Sequence, residues 1–339
     1  MKVICVGSTS KDIFFPTDEG QVVDTPNDLE SKKKFVFELG AKYHISDRFE
    51  SLGGCAANQS VGISRLGIPV SCYTSIGDDF IGKWIQDEFS KENIGQDLVN
   101  MEGSCLSGLS AIVVDKNSAD RIIFSNQEAN ERLKIDSAKL EGADFVSISD
   151  LSGDWKTIAD EIISMAEKNG IKISFSPRYT NIKDDSKKVS EIAGKSELFF
   201  INKDESIEIL ENLGIEASCD EADILKKIKN FGVKIVAITD GERGAWVYDG
   251  EEIIHAEIVS VKAVDATGAG DAFASGFIAA YIKGKNSEEC LKWGITNGCN
   301  VVNQYGGTAG LLKEEEILEK IKEVKIERIN TEPAQKKTE

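Results

Sequence analysis

From Ala143 onward the chain alternates short apolar runs with amphipathic segments, and this order restricts the architecture more than any other feature. The apolar runs DFVSIS, IKISFS, ELFFIN and VKIVAIT each read as a strand buried on both faces. Helical patterns occupy 155–168, 183–193, 204–212 and 221–230. After VKIVAIT, the segment WVYDGEEIIHA predicts a β-ribbon, and a strongly apolar helix begins near Asp271. Strands separated by helices run parallel, with helices on both faces. The expectation is an α/β protein: a three-layer α/β/α sandwich with a mostly parallel central sheet.

The first third is less regular. Residues 2–6 (KVICV) read as another buried strand, ending at Gly7. Residues 12–50 are charged, interrupted by Pro16 and Pro26, and read as an excursion whose patch Phe35–Phe37 can pair as a strand. Core patterning resumes at Gly53-Gly54, with a helix over 56–65 and a strand over 70–74. Residues 106–126 alternate as a hairpin does. These signals predict one domain over 1–325, with a small β lid drawn from about 12–50 and 106–126. The closing KEEEILEKIKEVKIERI reads as a surface helix, and 326–339 as a polar tail.

Composition narrows the function. The 58 acidic residues outweigh 40 basic ones, leaving a net charge of −18 that disfavours nucleic acid and anionic membranes as partners. It leaves nucleotides open, because backbone N–H groups and a metal ion can hold them. Seven scattered cysteines without a C-x-x-C, and only two histidines, argue against a disulfide framework or a zinc site. No run of 18 apolar residues and no leader-like start is present, so the expectation is a cytoplasmic protein.

The chemistry concentrates in VDATGAGDAFASGFIAAYI, residues 264–282. Gly268 and Gly270 admit backbone conformations that let N–H groups converge ahead of a helix, forming an anion hole. Asp271 in the first turn would then accept a proton from an attacking hydroxyl. Taken alone, Gly-Ala-Gly-Asp reads equally well as a tight turn with an acidic helix start.

The full string Asp265-Ala-Thr-Gly-Ala-Gly-Asp271 resembles the D-[TA]-T-G-A-G-D signature of the ribokinase-like (PfkB) carbohydrate kinases, and other segments follow in the family's order. GSTSKD (7–12) resembles the strand-end motif whose Asp binds substrate hydroxyls, here Asp12. GGCAANQSVGISRLG (53–67) is similar to the second signature, and implies substrate contacts from Gly53, Gly54 and Asn58. SIGDDFIG (75–82) matches the segment that follows it. NKDE, Asn202 to Glu205, fits the N-x-x-E motif tied to Mg²⁺ and phosphate, with Glu205 acting through water. TDGERGA (239–245) resembles the T-x-G-x-x-G element beside the nucleotide, implicating Thr239, Gly241 and Gly244. QYGGTAGL (304–311) fits the closing glycine-rich element. The resemblance also implies Asn297 near adenine, and a monovalent cation such as K⁺ near Asp265. Together these imply a kinase transferring the γ-phosphoryl of ATP to a small sugar. Asp271 would be the base, with Gly268, Ala269 and Gly270 as the anion hole; a homodimer would form through the lid.

Each motif has a plainer reading. Asp12 alone is a loop acid, Gly53-Gly54 a turn, and Glu205 a dipole-friendly helix start. Gly77 to Trp84 nearly spells a P-loop, but Trp84 replaces the required hydroxyl, and Asp78 and Asp79 would repel phosphate. Departures from the family pattern leave the substrate open. Cys55 replaces the usual Lys, and SFSPRY (174–179) stands where an acid or amide precedes Pro-x-Arg. The excursion is long, and its Phe35, Phe37, Tyr43 and His44 either line a base pocket or pack a lid sheet. A nucleoside acceptor therefore stands beside a sugar. A dinucleotide oxidoreductase is disfavoured because GSTSKD replaces G-x-G-x-x-G, and a non-catalytic binding protein because the whole glycine loop is present.

Overall fold

A computed structural model describes residues 1–25, 33–118, 120–259 and 261–329. Ten strands among these form the main sheet. In spatial order they are Ile326–Ile329, Ile253–Ala256, Ala245–Tyr248, Ile235–Thr239, Leu198–Asn202, Lys172–Ser176, Phe145–Ser149, Val3–Gly7, Val70–Gly77 and Val99–Glu102. The last seven are mutually parallel and the first three pair antiparallel. The parallel strands thus all open their carboxyl ends on one edge, where open α/β sheets bind ligands.

Each face of the sheet carries its own core. Helices Cys55–Arg65, Ala269–Ile282 and Ser287–Val301 cover one face, centred on Trp293, Phe277 and Ile63. Helices Trp155–Asn169, Tyr179–Gly194, Lys203–Asn212 and Glu221–Lys229 cover the other, over Ile148, Phe175 and Phe199. The helix Ala269–Ile282 is apolar all round because it lies between two other helices. Small residues let them close in. A Cβ on Gly62 would fall 2.2 Å from Ser275 Oγ, and one on Gly276 2.7 Å from the Trp293 carbonyl.

The lid is a separate four-stranded sheet in the order Phe49–Gly53, Ser10–Thr17, Leu109–Asp115 and Arg121–Asn126. The expected hairpin supplies its last two strands. The excursion departs from expectation, since only its two ends enter this sheet. Its middle forms a two-stranded ribbon, Gln21–Asp24 with Lys33–Val36, and residues 26–32 lie outside those described. Phe35, Phe37 and Tyr43 pack on one another there, with ring centroids 4.6 and 5.2 Å apart. They stand outside the lid sheet, where Phe35 lines a surface cavity with Arg121 and Ile123 of the lid's edge strand, and His44 is exposed.

The end of the chain also needs correction. The surface helix stops at Lys320, followed by one 3₁₀ turn, and Ile326–Ile329 becomes the edge strand of the main sheet. Ile326 and Ile329 are separated by two charged residues, so no period-two alternation marks this strand in the sequence, and pairing with Ile253–Ala256 alone defines it. Of the expected polar tail, 330–339 lie outside the described residues. The P-loop look-alike is a helix start: Asp79 caps helix Phe80–Lys91 by accepting the Gly82 N–H at 2.7 Å.

Phe277 is fully buried, edge-on to Phe200 at 5.4 Å. Phe277→Ala should cost about 3–5 kcal/mol, seen as a lower denaturant midpoint at unchanged m-value.

Candidate active site

Two helices packed side by side on one face begin at the carboxyl edge of the sheet. Helix Ala269–Ile282 starts from Gly268, whose φ of 77° is a left-handed conformation that glycine adopts freely. The same residue packs so closely that a Cβ would fall 2.4 Å from Gly307 Cα. The transfer loop is thus seated directly on the closing glycine-rich element. Ala272 N–H closes the first helical bond onto the Gly268 carbonyl at 2.8 Å. The N–H groups of Gly270 and Asp271 stand in the first turn, where no earlier turn can accept them. A Cβ on Gly270 would meet nothing within 4 Å, so the loop is open at that point.

Asp271 is held from the neighbouring helix. Asn58 Nδ2 donates to Asp271 Oδ2 at 2.9 Å, and Gln59 Nε2 donates to Oδ1 at 3.4 Å. Burial pushes the Asp271 carboxyl up to about 6, against the lowering effect of these two amides; the nearby Asp150 charge adds to the rise. Part of its surface stays accessible, so the group is desolvated without being sealed. A carboxyl of this kind is ionised at neutral pH and poised to take a proton. Asn58 Oδ1 is buried and has no partner among the described residues, which leaves an acceptor free for a ligand hydroxyl.

Asp12 comes from the lid strand Ser10–Thr17, and Ser10 Oγ donates to its Oδ1 at 2.8 Å. Burial raises its carboxyl, opposed by the Ser10 and Ser110 hydroxyls. Gly53 is required by this acid, since a Cβ there would fall 2.1 Å from Asp12 Oδ2. Gly54 has φ 87° and lies against the Ser8–Thr9 backbone, so it joins the lid to the first strand's end. The sequence-selected Asp12, Gly53, Gly54, Asn58 and Asp271 therefore converge.

Two groups at this edge, Asp150 and Gln59, were missed. Asp150 follows strand Phe145–Ser149, with φ 49°, and its Oδ1 lies 2.9 Å from Arg178 Nε. Ser8 Oγ donates to the other oxygen. Burial raises the Asp150 carboxyl while Arg178 opposes the rise. Asp150 occupies a strand-end position just as Asp12 follows Gly7, so the same carboxyl-edge rule could have found it. Gln59 was overlooked beside Asn58.

The nucleotide-side assignments divide. Thr239 ends strand Ile235–Thr239, and Gly241 (φ 49°) is open, with nothing within 4 Å of a Cβ. Gly244 serves the hairpin instead: a Cβ would fall 2.0 Å from the Ala256 carbonyl. Asn202 and Glu205 cap helix Lys203–Asn212 reciprocally, at 2.8 and 3.3 Å. Burial raises Glu205, and one carboxylate oxygen remains outside the capping bond. That oxygen fits a water-mediated hold on Mg²⁺, which keeps most of its own waters. No group of three metal-ligating side chains occurs among the described residues.

Two assignments fail on geometry. Asn297 is fully buried; its amide donates to the Ala272 carbonyl and Ser275 Oγ at 3.0 and 3.2 Å, and accepts Leu312 N–H at 3.0 Å. It ties helices together and does not face a base. Asp265 is likewise buried, with Oδ1 taking the Thr267 N–H and hydroxyl at 3.0 and 2.7 Å, and Oδ2 the Gly306 N–H at 3.1 Å. Arg121 Nε from the lid stands 3.9 Å from it. With its oxygens taken by donors and a guanidinium alongside, Asp265 does not fit a monovalent cation, and it organises the loop instead.

Comparison with known proteins agrees with this geometry. Residues 5–314 match the model of the pfkB family carbohydrate kinases. A ribokinase of Haemophilus influenzae is 29% identical over 286 residues, covering 83% of this chain and 89% of its own. A cytidine kinase of Thermococcus kodakarensis is 30% identical over 262 residues, covering 75% and 88%. The crystal structure of a nucleoside kinase from Methanocaldococcus jannaschii superposes with a TM-score of 0.75 at 23% identity, covering 95% of this chain and 98% of that one.

Gly268→Ala forces a left-handed alanine against Gly307. It should destabilise the protein by about 1–3 kcal/mol, measurable by chemical denaturation.

Proposed function

Since the chain belongs to the pfkB family of carbohydrate kinases, phosphotransferases with an alcohol acceptor, we propose that it transfers the γ-phosphoryl of ATP to a hydroxyl of a small sugar, with Asp271 as general base. The observation that carries this reading is the position of Asp271. A largely desolvated carboxyl that titrates near 6 sits in the first turn of a helix, beside N–H groups that have no earlier turn to accept them.

The acceptor lies beneath the lid, its hydroxyls held by Asp12, the Gly53-Gly54 backbone and Asn58 Oδ1. Asp271 takes the proton of one hydroxyl as that oxygen forms its bond to the γ-phosphorus and the bond to the leaving ADP breaks. The N–H groups of Gly268 and Gly270 stabilise the equatorial oxygens in flight, whereas the expected third donor, the Ala269 N–H, is turned to the Ala266 carbonyl at 3.4 Å. Mg²⁺, when bound, would neutralise phosphate charge, and Asn202 and Glu205 would hold it through water. Thr239 and Gly241 border the nucleotide. Closing the lid sheet over the cleft excludes water as a competing acceptor.

A sugar is favoured over a nucleoside because polar groups, Asp12, Ser10, Asn58 and Asp150, crowd the cleft. The aromatic side chains of the excursion meanwhile pack on each other. The nucleoside reading is kept by the names of the cytidine and nucleoside kinases above. ADP release from a panel of sugars and nucleosides decides between them. Turnover with nucleosides alone would overturn the sugar reading.

Asp271→Asn should lower kcat by about 10²–10⁴-fold with little change in ATP affinity. Near-normal turnover in that variant would remove Asp271 as the base. In the wild type the base must be ionised, so kcat should fall as pH drops below about 6. Gly53→Ala should displace the Asp12 carboxylate and raise the KM for the acceptor by about 10²-fold, leaving the KM for ATP unchanged. The lid also offers a homodimer contact, because its outer strand exposes Ile123 and Phe124. Light scattering of Phe124→Lys against the wild type tests this: loss of a dimer supports it, and a monomeric wild type removes it.

A further inference from the structure

Behind Asp271 a chain of buried polar side chains crosses the interface between helix Cys55–Arg65 and the sheet. Gln59 is fully buried, as are Ser147 and Ser174, which are direct partners on adjacent parallel strands. Ser174 Oγ donates to Ser147 Oγ at 2.9 Å, Ser147 Oγ donates to Gln59 Oε1 at 2.6 Å, and Gln59 Nε2 reaches Asp271 Oδ1. Hydroxyls and an amide in a core of this kind are costly unless every member is satisfied in one consistent arrangement.

The carboxylate decides the direction. An ionised Asp271 only accepts, so the amide must turn its NH₂ toward it and its oxygen toward the sheet. The serine facing that oxygen must then donate. Ser147 and Ser174 point to the same face of the sheet as Phe145 and Cys5, where an aliphatic side chain would be expected. Asn58 holds the other Asp271 oxygen from the neighbouring position on the same helix, so successive residues grip both oxygens.

We propose that Gln59 is a positioning residue for phosphoryl transfer, orienting the Asp271 carboxylate, and that Ser147 and Ser174 lock its amide in the donating direction. The proposal rests on Asp271 as the base. Without the Ser147 hydroxyl, the Gln59 amide can rotate and present its oxygen to a carboxylate. Without Gln59, one oxygen of Asp271 loses its amide donor while the Cys55 thiol and the Asp150 charge remain beside it, so the charged form loses support.

The test uses ¹³C NMR of aspartate-labelled full-length protein, with the Asp271 carboxyl identified by its absence in Asp271→Asn. Gln59→Met should raise the titration midpoint of that carboxyl by about half a unit to one unit. Ser147→Ala should raise it by less, and Ser174→Ala least. The acidic limb of the kcat profile should move upward by the same amounts, while the KM values for acceptor and ATP stay within about twofold. An unmoved midpoint in folded Gln59→Met overturns the proposal. If that variant does not fold, an unmoved midpoint in Ser147→Ala overturns it. Turnover retained by Asp271→Asn overturns the base assignment instead, and is read separately from the titration.

Discussion

The close approach of helices Cys55–Arg65 and Ala269–Ile282 is the constraint on which the site depends. Gly62 leaves room for the Ser275 side chain, so the two axes come near enough for Asn58 and Gln59 to reach Asp271. A larger residue at Gly62 would separate the helices and release the carboxylate from both amides. The same closeness brings the Gly268 loop onto Gly307, which in turn lies against Asn58. Three segments distant in sequence are thereby registered by contacts that leave no room for a larger residue at these glycines. Packing this tight has discrete arrangements, and it does not deform smoothly.

Electrostatics at the edge follows from that registration. Asp12, Asp150, Asp265 and Asp271 all converge on it, and for Asp12, Asp150 and Asp271 desolvation dominates the titration. Each is met by a different kind of donor: hydroxyls for Asp12, a guanidinium for Asp150, backbone N–H groups for Asp265, amides for Asp271. A triphosphate entering such an edge relies on the helix N-terminus and on cations it brings along.

Much of this was legible from the sequence. Strand–helix alternation gave the layered sheet, and the strand-end motifs gave Asp12, Gly53, Gly54, Asn58 and Asp271. Local patterning could not give the role of individual glycines. Gly244 and Gly54 look alike as letters, yet one closes a hairpin on Ala256 and the other joins the lid to the first strand. Asn297 and Asp265 were misread for a related reason. A polar residue in a motif is taken to face a ligand, whereas these two satisfy helix ends and loop amides within the core. Gln59, Ser147 and Ser174 escaped because single buried polar residues carry no periodic signal, and their meaning lies in a contact between strands and a helix.

The burial of Asp271 has an energetic side. Its pKa of about 6 in the folded protein lies above the ordinary aspartate value of 3.8, so folding favours the protonated form. The stability this group contributes is therefore fully present below about 4 and lost as pH rises through about 6. At neutral pH the ionised carboxylate strains the fold by about 3 kcal/mol. On the proposed reading, accepting a proton from the substrate would relieve that strain as the new oxygen–phosphorus bond forms. The folded state thus holds Asp271 in its less comfortable protonation state, and a reaction that used it as the base would carry it toward the one its surroundings prefer.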